Sequence, residues 1–371
     1  MPIGAYIHVP FCRTRCHFCA FYLRVFREAD AARYVDAVVR EIDRHAVEGT
    51  VAGRAFDTVY FGGGTPTVLS EVQLSTILTL LSRRLGVQSD AEITVEAHPD
   101  DLDASRLAAL MKSGVTRLSI GAQSFDEHEL LRIGRPTLPV AFTAAVDGAR
   151  RAGIRSVNLD LMYGLPGQSL MQWQDTLDAA IGLAPDHLSC YAYTVEPETR
   201  TAIDIARGDV PRPSDSLQLE METRSEEILT KAGYERYEIS NYARPGHRCR
   251  HNMLYWTGAD YLGFGPSAQS YVGGNRFGVV ANLETYCRTL ESGALPIVDR
   301  QPLNPSDQLI DRIVFGLRRI EGIESRLVAD AGRTTEVAHL INDGWLEERD
   351  ARLRLTEAGR RHADSVAERL F

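Results

Sequence analysis

Residues 8–22 read HVPFCRTRCHFCAFY, a run that sets three thiols, Cys12, Cys16 and Cys19, on one short loop directly after the strand-like AYIHV of residues 5–9. Thiolates at this CxxxCxxC spacing can converge on one metal centre, and no fourth cysteine stands near them. A cubane iron–sulfur cluster ordinarily takes four cysteine ligands, so three leave one iron open to another molecule. A structural zinc site, which uses four protein ligands and often pairs CxxC knuckles, is one alternative reading of this spacing. Three unrelated thiols are the blander alternative.

Composition narrows the class. The chain has 371 residues, enough for one large domain and a smaller one. Its formal net charge of -9 argues against a general nucleic-acid binder. Six cysteines, three of them clustered, do not make a secreted disulfide framework, and Cys190, Cys249 and Cys287 read as isolated structural thiols. No signal-type segment is read before AYIHVP and no apolar run is long enough to span a membrane. The expected compartment is the cytoplasm, where reducing conditions suit an oxygen-sensitive cluster.

Outward from the cysteine loop, strand-like runs alternate with amphipathic segments: residues 5–9, TVYFGGG at 58–64, EITVEAHP at 92–99, RLSIGAQSF at 117–125, VNLDLMYGLPG at 157–167 and HLSCYAYTVE at 187–196. Runs rich in Val, Ile and Leu, separated by helices, signal a parallel sheet covered on its outer face. Six such units make an incomplete barrel, whose chemistry gathers at the C-terminal ends of its strands. The distinctive residues fall there: the cysteine loop, Gly62 to Thr67, Glu96, Gln123, Asp160 with Tyr163, and Tyr191 with Tyr193. FGGGTPT, residues 61–67, lets main-chain amides approach a ligand without Cβ interference. It lacks the Lys-Ser/Thr ending of a P-loop and the spacing of a dinucleotide fingerprint, and a purely structural turn is its plain alternative.

The CxxxCxxC spacing, with Phe18 just before the last cysteine, resembles the cluster motif of the radical S-adenosylmethionine (SAM) superfamily. The resemblance implies a [4Fe-4S] cluster on Cys12, Cys16 and Cys19, with SAM chelating the fourth iron and cleaved by one electron to a 5'-deoxyadenosyl radical. The cofactor carries the hard chemistry and the protein orients it. A flavodoxin- or ferredoxin-type electron donor is implied as well. The runs YIHVPFC, YFGGGTPT, VEAHP, SIGAQSF, NLDLMYGLPGQ, HNMLYW and GFGPSAQS narrow the resemblance to the HemN/HemW branch, oxygen-independent coproporphyrinogen oxidases and their relatives, over nearly the whole chain. Carried over by position, Tyr6, Phe18, Gly63, Gly64, Thr65, Glu96, Gln123, Arg135 and Asp160 would bind the cluster-bound SAM. Glu96 can accept from an amino group or ribose hydroxyl, Arg135 can face the carboxylate, and Asp160 can accept from ribose.

The expected fold is therefore α/β, a partial (β/α)6 TIM-like barrel of the radical SAM type over residues 1–215. A barrel extension carrying HNMLYW and GFGPSAQS follows over 216–300, and a small winged-helix-like α+β domain over 301–371. In the extension, SLQLEMETRSEEILTKAGY (216–234) reads as a helix and YERYEISNYA (234–243) as a strand flanking the sheet. A hairpin is expected between WLEERD and RLRLTE. DRIVFGLRRI (311–320) is read as a packing wall, because no aromatic-basic stripe suited to nucleic acid accompanies it.

HNMLYW, His251 to Trp256, is similar to the HNxxYW of HemW-type haem chaperones, in which the histidine is implicated in haem binding. The CxC extension usual in coproporphyrinogen oxidases is absent, so that activity ranks third. Two departures, Ala20 where HemW-type proteins usually have Asp and Gln269 where they have His, favour another branch. This is the class C radical methyltransferases and cyclopropanases, which transfer a methyl or methylene from a second SAM to an sp2 carbon of an aromatic or heterocyclic substrate. Haem delivery is the alternative. Gly164, Pro166, Tyr193 and the Gly263 to Ser270 loop, with Gly265 and Gln269, are the candidates for a second SAM. Tyr191, Tyr193 and His251 are candidates for proton transfer or substrate stacking, with a packed core histidine as the plain reading of His251.

Overall fold

The computed structural model describes residues 2–371. Six parallel strands form in the expected places: β1 (Ile3–Val9), β2 (Phe56–Gly63), β3 (Val87–Ala97), β4 (Arg117–Gln123), β5 (Ser156–Tyr163) and β6 (His187–Ala192). They pair in sequence order with in-register parallel ladders such as Tyr6 to Tyr60 and Asp160 to Ser189. Helices α1 (Glu28–Glu48), α2 (Glu71–Arg84), α3 (Ala104–Lys112), α4 (Pro139–Ala152) and α5 (Leu170–Gly182) make the crossovers. Capping boxes at Ser70/Gln73 and Ser169/Gln172 start α2 and α5.

The strands alternate more than near-continuous Val, Ile and Leu would suggest. Ile3, Ala5, Ile7 and Val9 of β1, Val59 and Phe61 of β2, Leu118 and Ile120 of β4, and Leu159 and Leu161 of β5 bury themselves in one large core with Tyr34, Val38, Ile77, Leu81, Phe142 and Trp173 of the helices. The intervening positions turn inward and are polar or small: Gly4, Tyr6, His8, Thr58, Tyr60, Glu96, Ser119, Asn158, Asp160 and Ser189. This is the pattern of a barrel whose interior is a binding space rather than a filled core.

Beyond residue 215, helix α6 (Asp215–Lys231) packs against α5, and β7 (Asn241–Ala243) pairs antiparallel with β6. Helix α7 (Arg250–Thr257) follows. The other edge grows by β8 (Asp260–Phe264), a seventh parallel strand beside β1, and then by the antiparallel β9 (Gln269–Val272), β10 (Asn275–Val279) and β11 (Ile297–Pro302). The whole is a 12-stranded sheet running from β11 to Glu235–Arg236 without closing. A separate apolar core, with Ile313, Leu340, Leu353 and Val366, lies under a three-stranded sheet that contains the expected hairpin, Leu346–Arg349 with Arg352–Leu355. Among the described residues no helix is long and apolar enough to cross a membrane.

Candidate functional site

The cysteine loop leaves the C-terminal end of β1 and folds back on it. Phe11 and Cys12 pair with Arg24 and Val25, Arg24 N–H donates to Pro10 O over 2.7 Å, and Phe26 N–H to Cys12 O over 2.8 Å. Between these clamps Cys19 N–H donates to Cys16 O, and His17 N–H donates to Ile133 O over 2.9 Å, tying the loop to the segment after β4. All three cysteines are half-buried and free. Burial pushes the Cys12 thiol up to about 11 and raises that of Cys19. Cys12 Sγ lies 3.4 Å from Thr65 Oγ1, and the Arg135 Nη1–H group points at Cys16 Sγ over 3.7 Å. Among the described residues no group of three His, Cys, Asp or Glu side chains is poised around a single metal position, and the Arg135 guanidinium stands beside the thiol loop.

The glycine run is fixed by what surrounds it. Gly64 N–H donates to Val9 O and Thr65 N–H to Phe11 O, over 2.8 and 2.7 Å, so the run is stitched to the loop's entry. A Cβ on Gly64 would stand 2.4 Å from Phe11 O, and Gly63 has φ +104° with the His8 ring against it. The Gly63 amide donates to Glu96 Oε2 over 3.1 Å, and Tyr60 Oη–H to Glu96 Oε1 over 2.9 Å. Burial first, then the charge of Asp160, raises the Glu96 carboxyl to about 7 despite these two bonds.

Asp160 accepts from Ser119 Oγ over 3.0 Å and from Asn158 Nδ2 over 2.8 Å, and burial raises its carboxyl. Arg135 Nη2 donates to Gly121 O over 2.6 Å, beside Gln123, whose φ of +71° is unusual for a residue with a side chain. Tyr6 stacks on Tyr60 with centroids 6.1 Å apart. Tyr191, in β6, keeps 40 % of its surface accessible, and burial followed by the nearby Asp160 charge raises its phenol. Cys12, Cys16, Cys19, Thr65, Gly63, Gly64, Glu96, Gln123, Arg135, Asp160 and Tyr6 thus gather at the strand ends. Two buried carboxylates, Glu96 and Asp160, and the Arg135 guanidinium by the thiols are the charged groups of this cluster.

Other candidates stand elsewhere. His251, on α7, is 1 % exposed in the barrel floor, where Nδ1 meets Thr58 Oγ1 at 2.7 Å, Nε2 meets Tyr255 Oη at 2.9 Å, and the ring lies 5.1 Å from Tyr60. Burial lowers its pKa to about 3, so the imidazole is neutral and both nitrogens are engaged. Tyr193 is buried in the apolar core. Gly164 packs its backbone on Gln218, and Gly265 packs on His8 O while donating N–H to the buried Glu41. Gln269 is exposed at the start of β9, against Gly278, and Phe18 is only partly buried. Sequence patterns did not single out Tyr60, Thr58 or Glu92. Tyr60 sits in the FGGGTPT flank at an inward parity and carried a usable signal. Glu92, which accepts from the Arg250 and His251 amides over 3.1 Å to cap α7, is 158 residues away and carried none.

Fold and site together define a radical SAM protein, and residues 6–180 match the Radical SAM superfamily. "Heme chaperone HemW" of Synechocystis sp. is 35% identical over 94% of this chain and 87% of its own length. The Bacillus subtilis protein of the same name is 33% identical over 96% of each, and that of Escherichia coli 40% identical over 73% of this chain and 70% of its own. The solved structure of coproporphyrinogen III oxidase HemN from Escherichia coli, a radical SAM enzyme, superposes with a TM-score of 0.87 at 26% identity, covering 100% of this chain and 90% of that one. This chain belongs to the HemN/HemW-like family of radical SAM proteins.

Proposed function

We propose that this protein binds haem and delivers it to acceptor proteins, on a radical SAM scaffold that holds a [4Fe-4S] cluster and one SAM. The observation that carries this reading is similarity along nearly the whole chain, at 33% identity or more, to proteins named heme chaperone. HNMLYW on α7 agrees with it. In this reading Cys12, Cys16 and Cys19 hold the cluster, Arg135 balances its charge at Cys16, and the Gly63 to Thr65 run with Glu96 and Asp160 orients SAM. When bound, these groups supply one-electron reductive cleavage of a sulfonium, drawing on a flavodoxin- or ferredoxin-type donor.

For haem, His251 as placed does not fit an axial role, since both ring nitrogens are taken and the side chain is sealed in the floor. Beside α7 the structure offers instead a cavity of about 210 Å³ lined by Tyr255, Trp256, Tyr261, Tyr271 and Phe315 together with Gln308, Arg312 and the ion-paired Arg276 and Asp311. Its aromatic wall suits the apolar edge of a planar macrocycle.

Methyl or methylene transfer to an aromatic or heterocyclic substrate, favoured by Ala20 and Gln269, finds no support among these relatives. Both departures fall at exposed positions, and a second SAM is not proposed. The test is anaerobic reconstitution followed by haem titration, transfer to an apo-haemoprotein, and reduction with deuterated-methyl SAM. One haem bound per chain and passed on, with no methyl deuterium in 5'-deoxyadenosine, is expected. Deuterium transfer without haem binding would sink the haem reading.

A further inference from the structure

We propose that the outer face of the cysteine loop is the docking surface for a small acidic flavodoxin-type electron carrier, an inference that rests on the cluster assignment above. Residues 1–27 hold four arginines and no Asp or Glu, in a chain whose net charge is -9. The fold gathers these charges around the thiols. Arg24 and Val25 pair with Phe11 and Cys12, Arg13 and Arg15 flank the turn between Cys12 and Cys16, and Arg27 follows the Phe26 amide that bonds Cys12 O.

Arg15 lies across the Cys16 to Phe21 turn and donates to the Cys19 and Phe21 carbonyls, so its charge meets no carboxylate. Among the described residues neither Arg15 nor Arg27 forms an ion pair, whereas Arg13 pairs with Asp101 and Arg24 with Asp30. Acidic side chains border this face: exposed Glu28 at the start of α1, Asp100, Asp101 and Asp103 beside Arg13, and Glu284 near Arg24, which leaves Arg15 and Arg27 as its unpaired cations among the described residues. Amid the arginines, Phe21 and Val25 are 65 % and 58 % exposed.

A large exposed aromatic beside arginines that no carboxylate engages is the composition of an interface centre with a steering rim. Its complement is an anionic surface with an apolar aromatic edge, as at the accessible dimethylbenzene edge of a flavin held by an acidic protein. Cys16 and Cys19 are only half-buried beneath this face, so the electron path is short. One electron leaves the anionic reduced flavin, which keeps its proton, and enters the cluster with no proton moved.

Stopped-flow reduction of the reconstituted full chain by reduced flavodoxin tests this, with dithionite reduction and flavodoxin binding to the cluster-free chain in parallel. The Arg15→Glu/Arg27→Glu variant should slow flavodoxin-driven reduction about tenfold or more and weaken binding in both forms, with the wild-type rate falling as salt is raised. Phe21→Ser should weaken binding roughly tenfold, and Arg349→Glu, in the C-terminal unit, should change neither. Wild-type behaviour of the double variant, an equal loss with dithionite, or efficient reduction by ferredoxin alone would overturn the assignment. Failure of the wild-type chain to assemble any cluster would instead remove the radical SAM reading, with the binding assay still deciding the surface.

Discussion

The Tyr60 hydroxyl donates to Glu96 over 2.9 Å while the opposite carboxylate oxygen takes the Gly63 amide, so the barrel's second strand sets the charge of the carboxylate beside the glycine cradle. Burial raises Glu96 to about 7 and the Tyr60 bond holds it from rising further. An ionised Glu96 is the form that attracts a SAM ammonium, so SAM affinity should fall as pH drops through about 7. Tyr60→Phe should move that midpoint upward and weaken SAM binding at pH 7 by roughly fivefold, the worth of about 1 kcal/mol for one hydrogen bond. Calorimetric titration of SAM across pH checks both; an unchanged midpoint would detach Glu96 from SAM.

Glu41 of α1 is fully buried, accepting from Gly265 N–H over 2.8 Å and Tyr286 Oη–H over 2.6 Å, and burial raises its carboxyl from 4.5 to about 7. The folded state then holds a proton that the unfolded chain has released between these values. Stability therefore falls as pH rises from about 4.5 to 7, by on the order of 3 kcal/mol from this group. Glu41→Gln should remove that part of the slope. Urea unfolding of both proteins at pH 5 and pH 8 measures it, and parallel pH profiles would show that Glu41 does not titrate between them.

Much of this was legible beforehand because it is local. Strand, loop and helix follow one another in register, so the six parallel strands, the hairpin at 345–357 and the loop joining Cys12, Cys16 and Cys19 could be read from adjacent residues. The inward parity of Tyr6, Tyr60, Glu96, Ser119 and Asp160 was also present in the sequence, masked by the apolar residues between them. Long-range relations could not be read. Strand β8 joins β1 across more than 250 residues, and α7 has no side-chain cap of its own because Glu92 supplies it. His251 looked available for chemistry because nothing in HNMLYW shows that Thr58 and Tyr255 occupy its two nitrogens.

Gly64 and Gly182 should respond oppositely to alanine. A Cβ at Gly64 would meet Phe11 O at 2.4 Å and Val9 O at 2.9 Å, both backbone atoms of the cysteine loop's base. Gly64→Ala should cost about 1–3 kcal/mol of strain and lower cluster loading, because the displaced Phe11 carries Cys12 with it. At Gly182, the last residue of α5, nothing lies within 4 Å of the added Cβ, and alanine should be neutral or stabilise by up to about 1 kcal/mol. Melting curves and iron content per chain are the readouts, and full loading of the Gly64 variant would show that the loop does not depend on this contact.

His251 should behave as a structural residue of the barrel floor. Its removal strips partners from the Thr58 and Tyr255 hydroxyls and opens a void beneath Tyr60 and Gly4. His251→Ala should therefore cost about 2–4 kcal/mol, from unsatisfied groups and lost packing together. Its folded-state pKa of about 3, against 6.5 for a free imidazole, adds a pH signature. The unfolded chain takes up a proton that the folded chain refuses, so wild-type stability falls as pH drops from about 6.5 towards 3, and the variant loses that component. Below its melting temperature the variant should bind haem with the wild-type Soret spectrum, since no His251 nitrogen is free to ligate iron. A stable variant with an altered or absent Soret band would reverse this, requiring the imidazole to leave Thr58 and Tyr255 when haem arrives.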